Sequence, residues 1–298
     1  MPALNTGEKI KKLRTDKSMT QAELAGNKIT RNMLSLIESG AAVPSLGTVK
    51  YLAERLNVPA GILVSDDNDE FFYRKLIGME NIKKALVSGN YRICRELCDS
   101  LDPDGNDDEI AMIRAVCSLG IAKEAFADGH LRAACAEFDE ASSGVRKTVY
   151  NVRYISAEAE VYCRYMRSVS PTLYSESADG ETAEALAFGD PFCVYATVLR
   201  YISSGDADGA GRLLPFLGKG FYREHIGAKL GMMRGDFAGA LAELRVLLND
   251  GEKVGTPVMY DIFRDLEVCC REAGDFKGAY EYSGAKVVML ERLLSEVD

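Results

Sequence analysis

The 298-residue chain has no tryptophan, two histidines and eight prolines. Two histidines leave little material for imidazole catalysis or a histidine-rich metal site. Eight prolines are too few for a proline-rich spacer. No apolar run reaches the ~18 residues that a membrane-spanning helix needs. The opening stretch, MPALNTGEKIKKLRTDKS, carries charges where a secretion signal needs an apolar core. The expected location is therefore the cytoplasm, with no membrane partner. There the eight cysteines are expected to be reduced core thiols and not a disulfide framework. Phosphate-binding loops, dinucleotide fingerprints and zincin motifs are also missing. No cofactor, metal or catalytic residue is expected, and the chain does not read as an enzyme.

What is present is apolar residue, at 47%, and charge, at 27%. That is enough for real cores in two ordinary domains. The net charge of −9 is unevenly spread. Residues 1–66 hold nine Lys+Arg and six Asp+Glu, a net +3; the other 232 hold 27 and 39, a net −12. A small polyanion-facing module on an acidic body fits this asymmetry.

Helix punctuation is dense in the first 66 residues. Thr6 is placed to cap a first helix with Ile10 and Leu13 on its apolar face. Thr20 and Glu23 form a capping-box pair. Gly26 and Asn27 stop that helix after about two turns. Thr30 then caps a short helix, 31–38, with Met33, Leu34 and Ile37 inward. Pro44-Ser45 opens another helix, burying Val49, Leu52, Ala53 and Leu56, and Val58-Pro59 leads into a last turn through Leu63. Two short helices joined by a tight turn in a five-helix unit is the helix-turn-helix plan.

The residues TQAELA, IESG and VPSLGTVKYLAERLNV resemble the Cro/lambda-repressor, or XRE, type of helix-turn-helix. Thr20, Gln21, Leu24, Ala25, Ile37, Glu38, Gly40, Pro44, Ser45, Thr48, Leu52, Ala53, Leu56 and Val58 carry the match. The stretch from Leu24 to Ile37 is one residue shorter than the common form. The resemblance implies that 30–38 is the recognition helix. Its outward residues are Thr30, Arg31, Asn32 and Ser35, where Arg suits guanine and Asn suits adenine. Gln21 is implied as a phosphate contact, with Lys28, Lys9 and Lys12 as further phosphate contacts.

After the acidic stretch 66–70 the chain reads as helical throughout. Glycine-centred turn signals recur in SGNYRIC, DGHLRAAC, SGDADGAG, RGDFAGAL and AGDFKGAY. Their glycines, 89, 129, 205, 235 and 274, are 40, 76, 30 and 39 residues apart. The wide gap implies one further turn near residue 167, beside Ser168 and Pro171. About six helical hairpins with a period near 34–40 residues follow. They resemble tetratricopeptide repeats, with Ala134, Ala240 and Ala279 as the small second-helix residue. The expected fold is all-α: a five-helix DNA-binding domain, 1–66, followed by an α-solenoid of tetratricopeptide-like hairpins, 67–298.

The first helix of each hairpin lines the concave face of such a solenoid. Candidate peptide-binding residues there are Arg114, Asn151, Tyr154, Tyr195, Tyr222, His225, Tyr260 and Arg264. Asn, Tyr and Arg can bond a peptide backbone or carboxylate. The combination of domains resembles the peptide-sensing regulators of Firmicutes that include PlcR, PrgX, NprR and the Rgg proteins. That resemblance implies a homodimer on an inverted-repeat operator in double-stranded DNA, controlled by a short signalling peptide. Two other readings remain open: a DNA-binding repressor whose repeats only dimerise or dock a protein, and an adaptor that no longer binds DNA.

Overall fold

A computed structural model of the chain describes residues 5–65, 67–169, 189–249 and 255–294. Every regular element among them is helical. The chain divides into two compact units, 1–87 and 88–298.

The first unit holds α1 (Thr6–Asp16), α2 (Gln21–Ala25), α3 (Arg31–Glu38), α4 (Leu46–Leu56), α5 (Ala60–Val64) and the long α6 (Asp67–Val87). Three of these helices start at the expected side-chain caps. Thr20, Thr30 and Ser45 accept from the backbone N–H of Glu23, Met33 and Thr48. The first cap is Asn5 and not Thr6. Asn5 Oδ1 accepts from the Glu8 N–H at 3.0 Å, and Glu8 Oε2 accepts from the Asn5 N–H at 2.9 Å. Asn5 and Glu8 have the three-residue spacing of a reciprocal box, which Thr6 lacks. Ile10, Leu24, Leu34, Ile37, Leu52, Leu56 and Leu63 form the core. Met33, expected inside, is 40% exposed; one position before Leu34, it falls off the α3 stripe that packs inward. The acidic stretch is no open linker, since 67–70 are already the first turn of α6. The geometric boundary at 87/88 therefore lies one helix beyond the sequence boundary at 66/67.

The second unit contains α7 (Tyr91–Leu101), α8 (Asp108–Asp128), α9 (Leu131–Val145), α10 (Arg153–Val169), α11 (Pro191–Ser204) and α12 (Ala207–Leu213). A 3₁₀ turn at Leu214–Phe216 follows, then α13 (Phe221–Met233), α14 (Phe237–Leu247), α15 (Thr256–Glu272) and α16 (Phe276–Leu294). The strongest packing is between successive helices, α8 on α9, α13 on α14 and α15 on α16. This is the quasi-one-dimensional order of a helical repeat.

All five turn glycines have positive φ, between 71° and 89°, where an L side chain is strained. Three of the turns share a further device. In Gly205-Asp206, Gly235-Asp236 and Gly274-Asp275 the aspartate accepts from the N–H of a second glycine three residues on, at 2.8–2.9 Å. A Cβ on that second glycine would lie 2.4–2.5 Å from the aspartate Oδ2. G-D-x-x-G is thus a joint unit of helix stop and helix start. Gly89 and Gly129 precede Asn90 and His130, which make no side-chain cap.

Residue 167 itself lies inside α10, which runs unbroken through Val169; from residue 170 on, the stretch in which the turn was expected lies outside the described residues. Ser168 lies in the last turn of α10, and Pro171 lies outside the described residues. A core built on Phe126, Phe138, Tyr162, Tyr165, Phe192 and Tyr195 fills the middle of the unit. A second one, around Leu244, Ile262, Leu266 and Cys269, lies near its C-terminal end.

Candidate nucleic-acid interface and ligand cavity

In the first unit, α3 starts at the Thr30 cap, so its unpaired N–H groups and positive dipole end lie beside Arg31 and Asn32. Thr30, Arg31, Asn32 and Ser35 are all exposed, whereas Leu34, Ile37 and Glu38 are buried. One face of the helix is therefore free for a groove and the other is locked to the core. The shortened turn is fixed from α4. Tyr51 donates its hydroxyl to the Ala25 carbonyl at 3.0 Å, and Arg55 donates to the Glu23 carbonyl. Gly26, at φ 57°, gives the hydroxyl room, because a Cβ there would lie 2.3 Å from it. The Tyr51 ring has the Lys28 ammonium 4.9 Å from its centroid. Lys28 is thus presented at the turn that leads into α3.

A buried ionic centre ties α1, α2 and α3 together. Arg14 forks onto Glu38, Nε to Oε1 at 2.6 Å and Nη2 to Oε2 at 3.0 Å. Arg14 Nη1 also donates to the Met19 carbonyl. Gln21 Nε2 donates to Glu38 Oε2 at 2.8 Å. Burial pushes the Glu38 carboxyl upward, but hydrogen bonds from Arg14 and Gln21 outweigh it and hold it below the ordinary range. Gln21 is thus oriented from inside the domain. Lys9 is a correction: it is 4% exposed, and its ammonium donates to the Ser65 carbonyl and hydroxyl. It staples α1 to the end of α5, while Lys12 and Lys28 remain on the surface.

The eight peptide-binding candidates of the second unit scatter. Tyr195 and His225 are fully buried and offer no surface to a ligand. Tyr195 Oη lies 2.7 Å from His225 Nδ1, and His225 Nε2 lies 2.9 Å from Asp265 Oδ2. Burial raises the Tyr195 pKa well above the phenol range. The Asp265 carboxylate can only accept, so Nε2 of His225 carries the N–H that bonds it. Tyr222 stacks on Tyr195 at 4.7 Å. Arg114 is consumed at a helix junction, donating to Asp99 Oδ1 at 2.8 Å and to the Cys98 and Asp102 carbonyls. Asn151 is exposed in the loop before α10, not on a helix. Tyr154 is exposed on α10, and Tyr260 is half-buried on α15 against the aromatic core.

Arg264 lines a cavity of about 250 Å³, and Arg114 a separate one of similar volume beside α8 and α9. The Arg264 cavity is walled by α10, α11, α13 and α15, through Tyr165, Thr197, Arg200, Lys229 and Asp261. Tyr165 donates to Asp261 Oδ2 at 2.6 Å. Lys229 pairs with Asp265 Oδ2 at 2.7 Å. Burial works against the Asp265 carboxylate, yet the His225 hydrogen bond and the Lys229 charge bring its pKa down to about 2. The sequence reading missed this wall. Its signal was the spacing of Asp261, Arg264 and Asp265, three charges at i, i+3 and i+4 on a helix otherwise rich in apolar residues.

Burial keeps several of the thiols protonated. Six of the eight cysteines are buried and all eight are free. Burial pushes Cys98 and Cys163 up to about 12 and Cys269 to about 11, where little nucleophilic thiolate exists. Among the described residues no group of three or more metal-ligating side chains is assembled, and no helix is long and apolar enough to cross a membrane.

Residues 10–63 match the Helix-turn-helix family model. No curated protein matches the chain. Among solved structures the chain is similar to Bacillus thuringiensis PlcR in complex with the peptide PapR7 and DNA, at 14% identity, 98% of this chain, 99% of that one and a TM-score of 0.23. The PrgX/iCF10 complex is 10% identical over 98% of this chain and 99% of that one, with a TM-score of 0.35. ComR from S. thermophilus, in complex with DNA and its signalling peptide ComS, is 15% identical over 96% and 99%, with a TM-score of 0.27. By the order of its capped helices and by the family model, residues 10–63 of this chain form a helix-turn-helix domain, and a helical-repeat unit follows it.

Proposed function

We propose that the protein is a cytoplasmic, homodimeric, sequence-specific DNA-binding transcriptional regulator, controlled by a short peptide held on the first-helix face of its repeat unit. The observation that carries the DNA reading is the exposed, capped start of α3. It offers Arg31, Asn32 and Ser35 outward while Glu38, on the opposite face, is clamped by Arg14 and Gln21. A rigid helix with a polar tip is what major-groove reading needs. The peptide reading is supported by the cavity that α10, α11, α13 and α15 share.

The dimer reading is supported by α16. A solenoid helix face that meets solvent is normally polar. Here Phe276, Tyr280, Val287 and Val288 are exposed along one stripe centred on Gly284. A second copy packed antiparallel about that glycine would set Tyr280 against Val288 and Lys277 against Glu291, a self-complementary pairing. Two DNA modules held together then gain affinity through effective concentration.

Selection of random duplex DNA by the full-length protein tests both parts. The wild type is expected to enrich an inverted repeat, Arg31→Ala/Asn32→Ala to enrich nothing, and Tyr280→Glu/Val288→Glu to enrich single half-sites only. Enrichment of the same sequence by the Arg31→Ala/Asn32→Ala variant would overturn the assignment of α3 as the reading helix.

A further inference from the structure

We infer that Leu36 reads a thymine of the operator by covering the C5-methyl group on its major-groove edge, close to the base that Asn32 reads. The inference rests on the reading that α3 enters the major groove, and it adds an apolar specificity contact to the polar ones of Arg31, Asn32 and Ser35.

Position supplies the first argument. Leu34, Ile37 and Glu38 are buried and fix which side of α3 faces the core. At about 3.6 residues per turn, the opposite side is centred between Asn32 and Leu36. These two residues stand one turn apart on the same face, with Ser35 beside them. Leu36 is 51% exposed. A large apolar side chain thus occupies the middle of the surface that the DNA reading needs. Met33 is also exposed, but it falls toward the edge of that surface.

Rigidity supplies the second. The Leu36 carbonyl accepts from the Ala41 N–H at 2.9 Å, the Ala42 N–H at 3.1 Å and the Ser39 hydroxyl at 3.1 Å. The chain after α3 folds back onto this one carbonyl and pins the backbone that carries Leu36. Two residues on, Glu38 is held in the Arg14 fork. Leu36 is therefore presented in one place, and little further order is lost when a partner meets it.

Chemistry supplies the third. Thymine alone offers an apolar group in the major groove. Guanine and adenine offer N7 with O6 or N6, and cytosine offers its N4 amine. A leucine pressed on any of these strips water from a polar atom and returns no hydrogen bond. On thymine it removes only apolar surface from water. Four residues of helix advance about 6 Å, and bases on one strand are ~3.4 Å apart. The thymine is therefore expected one or two base pairs from the base that Asn32 sets.

The test uses the full-length protein and the duplex that the wild type enriches. Each thymine is replaced singly by deoxyuridine, which keeps the base pair and removes only the methyl group. The dissociation constant is read by fluorescence anisotropy at one fixed salt concentration. One thymine in each half-site is expected to lose about fourfold on replacement, the equivalent of ~0.8 kcal/mol for one buried methyl group. Leu36→Ala binds the thymine duplex about fourfold more weakly and no longer distinguishes it from the deoxyuridine duplex. Met33→Ala keeps the distinction. In a fresh selection, Leu36→Gln loses thymine at that position and keeps the bases that Arg31 and Asn32 set. Leu36 lies outside the core, so thermal unfolding of these variants is expected to match the wild type. Three results overturn the thymine assignment and leave the DNA reading standing: no thymine is sensitive to replacement, the sensitivity survives in Leu36→Ala, or it is lost in Met33→Ala instead. Enrichment of no sequence by the wild type overturns both.

Discussion

Each unit of this protein buries a carboxylate and keeps it ionised, but the two neutralise it differently. Glu38 in the first unit is held by one planar cation, Arg14, in a bidentate fork, with the Gln21 amide beside it. Asp265 in the second is held by a flexible ammonium, Lys229, and by the His225 ring, whose other nitrogen bonds Tyr195. The fork fixes direction, and α3 needs a fixed direction to present Arg31 and Asn32. Lys229 instead places mobile charge beside a cavity. If the proposed function holds, a scaffold that reads a rigid groove and a wall that receives a ligand are thus distinguishable in how they bury charge.

The largest expected effect comes from removing each carboxylate. Asp265→Ala orphans Lys229 and His225 together, with His225 sealed from water, and is expected to destabilise the second unit by about 3–5 kcal/mol. Glu38→Ala leaves Arg14 its bond to the Met19 carbonyl and some water access, so a smaller loss of about 1.5–3 kcal/mol is expected in the first. Urea unfolding of full-length variants, followed with one probe in each unit, measures both. A larger loss for Glu38→Ala than for Asp265→Ala would reverse the comparison.

Acid sharpens the same contrast. Asp265 titrates at about 2 in the folded chain against about 3.9 unfolded. A depressed carboxylate pKa stabilises fully above the unfolded value, and the contribution fades as pH falls from about 4 toward about 2. Glu38 is also depressed and loses its contribution in the same direction. The second unit contains an opposing group. Glu158 is raised, because burial outweighs its bond to Lys123, so its protonation favours the fold in acid. Asp265→Asn is expected to flatten the acid loss of the second unit, and Glu158→Gln to steepen it. A pH scan of unfolding midpoints from about 5 to about 2 separates the two signs.

Legibility in the sequence followed how local the determining interactions are. The helix starts at Thr20, Thr30 and Ser45 and the turns at the five glycines are set within four residues, and the chain displays them directly. At the first helix two adjacent residues can both cap, and the spacing of Asn5 to Glu8 decides between them. Lys9 read as a surface cation because its partner, Ser65, is 56 residues away. The cavity was least visible: Tyr165 and Asp261 are 96 residues apart, and neither has a motif. Tyr195 and His225 failed as groove residues for the complementary reason. A polar side chain on a first helix faces either the ligand or the next hairpin, and one-helix periodicity does not separate the two.

The smallest expected effect tests the repeat device itself. Asp206, Asp236 and Asp275 each accept one helix-start N–H from the glycine three residues on. Replacing any one with Ala leaves that N–H to water and is expected to cost about 1 kcal/mol. Asn90 and His130 hold the same place after Gly89 and Gly129 but make no such bond, so Asn90→Ala and His130→Ala are expected to stay within about 0.5 kcal/mol of the wild type. The paired glycine is part of the device. Gly239→Ala adds a Cβ 2.4 Å from Asp236 Oδ2, so it must push the cap aside, and the gain in helix propensity, about 1 kcal/mol, is set against the lost cap. In an Asp236→Ala background that conflict is gone, and Gly239→Ala should then stabilise. A double-mutant cycle on unfolding midpoints reads the sign directly. Stabilisation by Gly239→Ala that is equal in both backgrounds would mean that aspartate and glycine are independent, and that the three G-D-x-x-G turns are not single units.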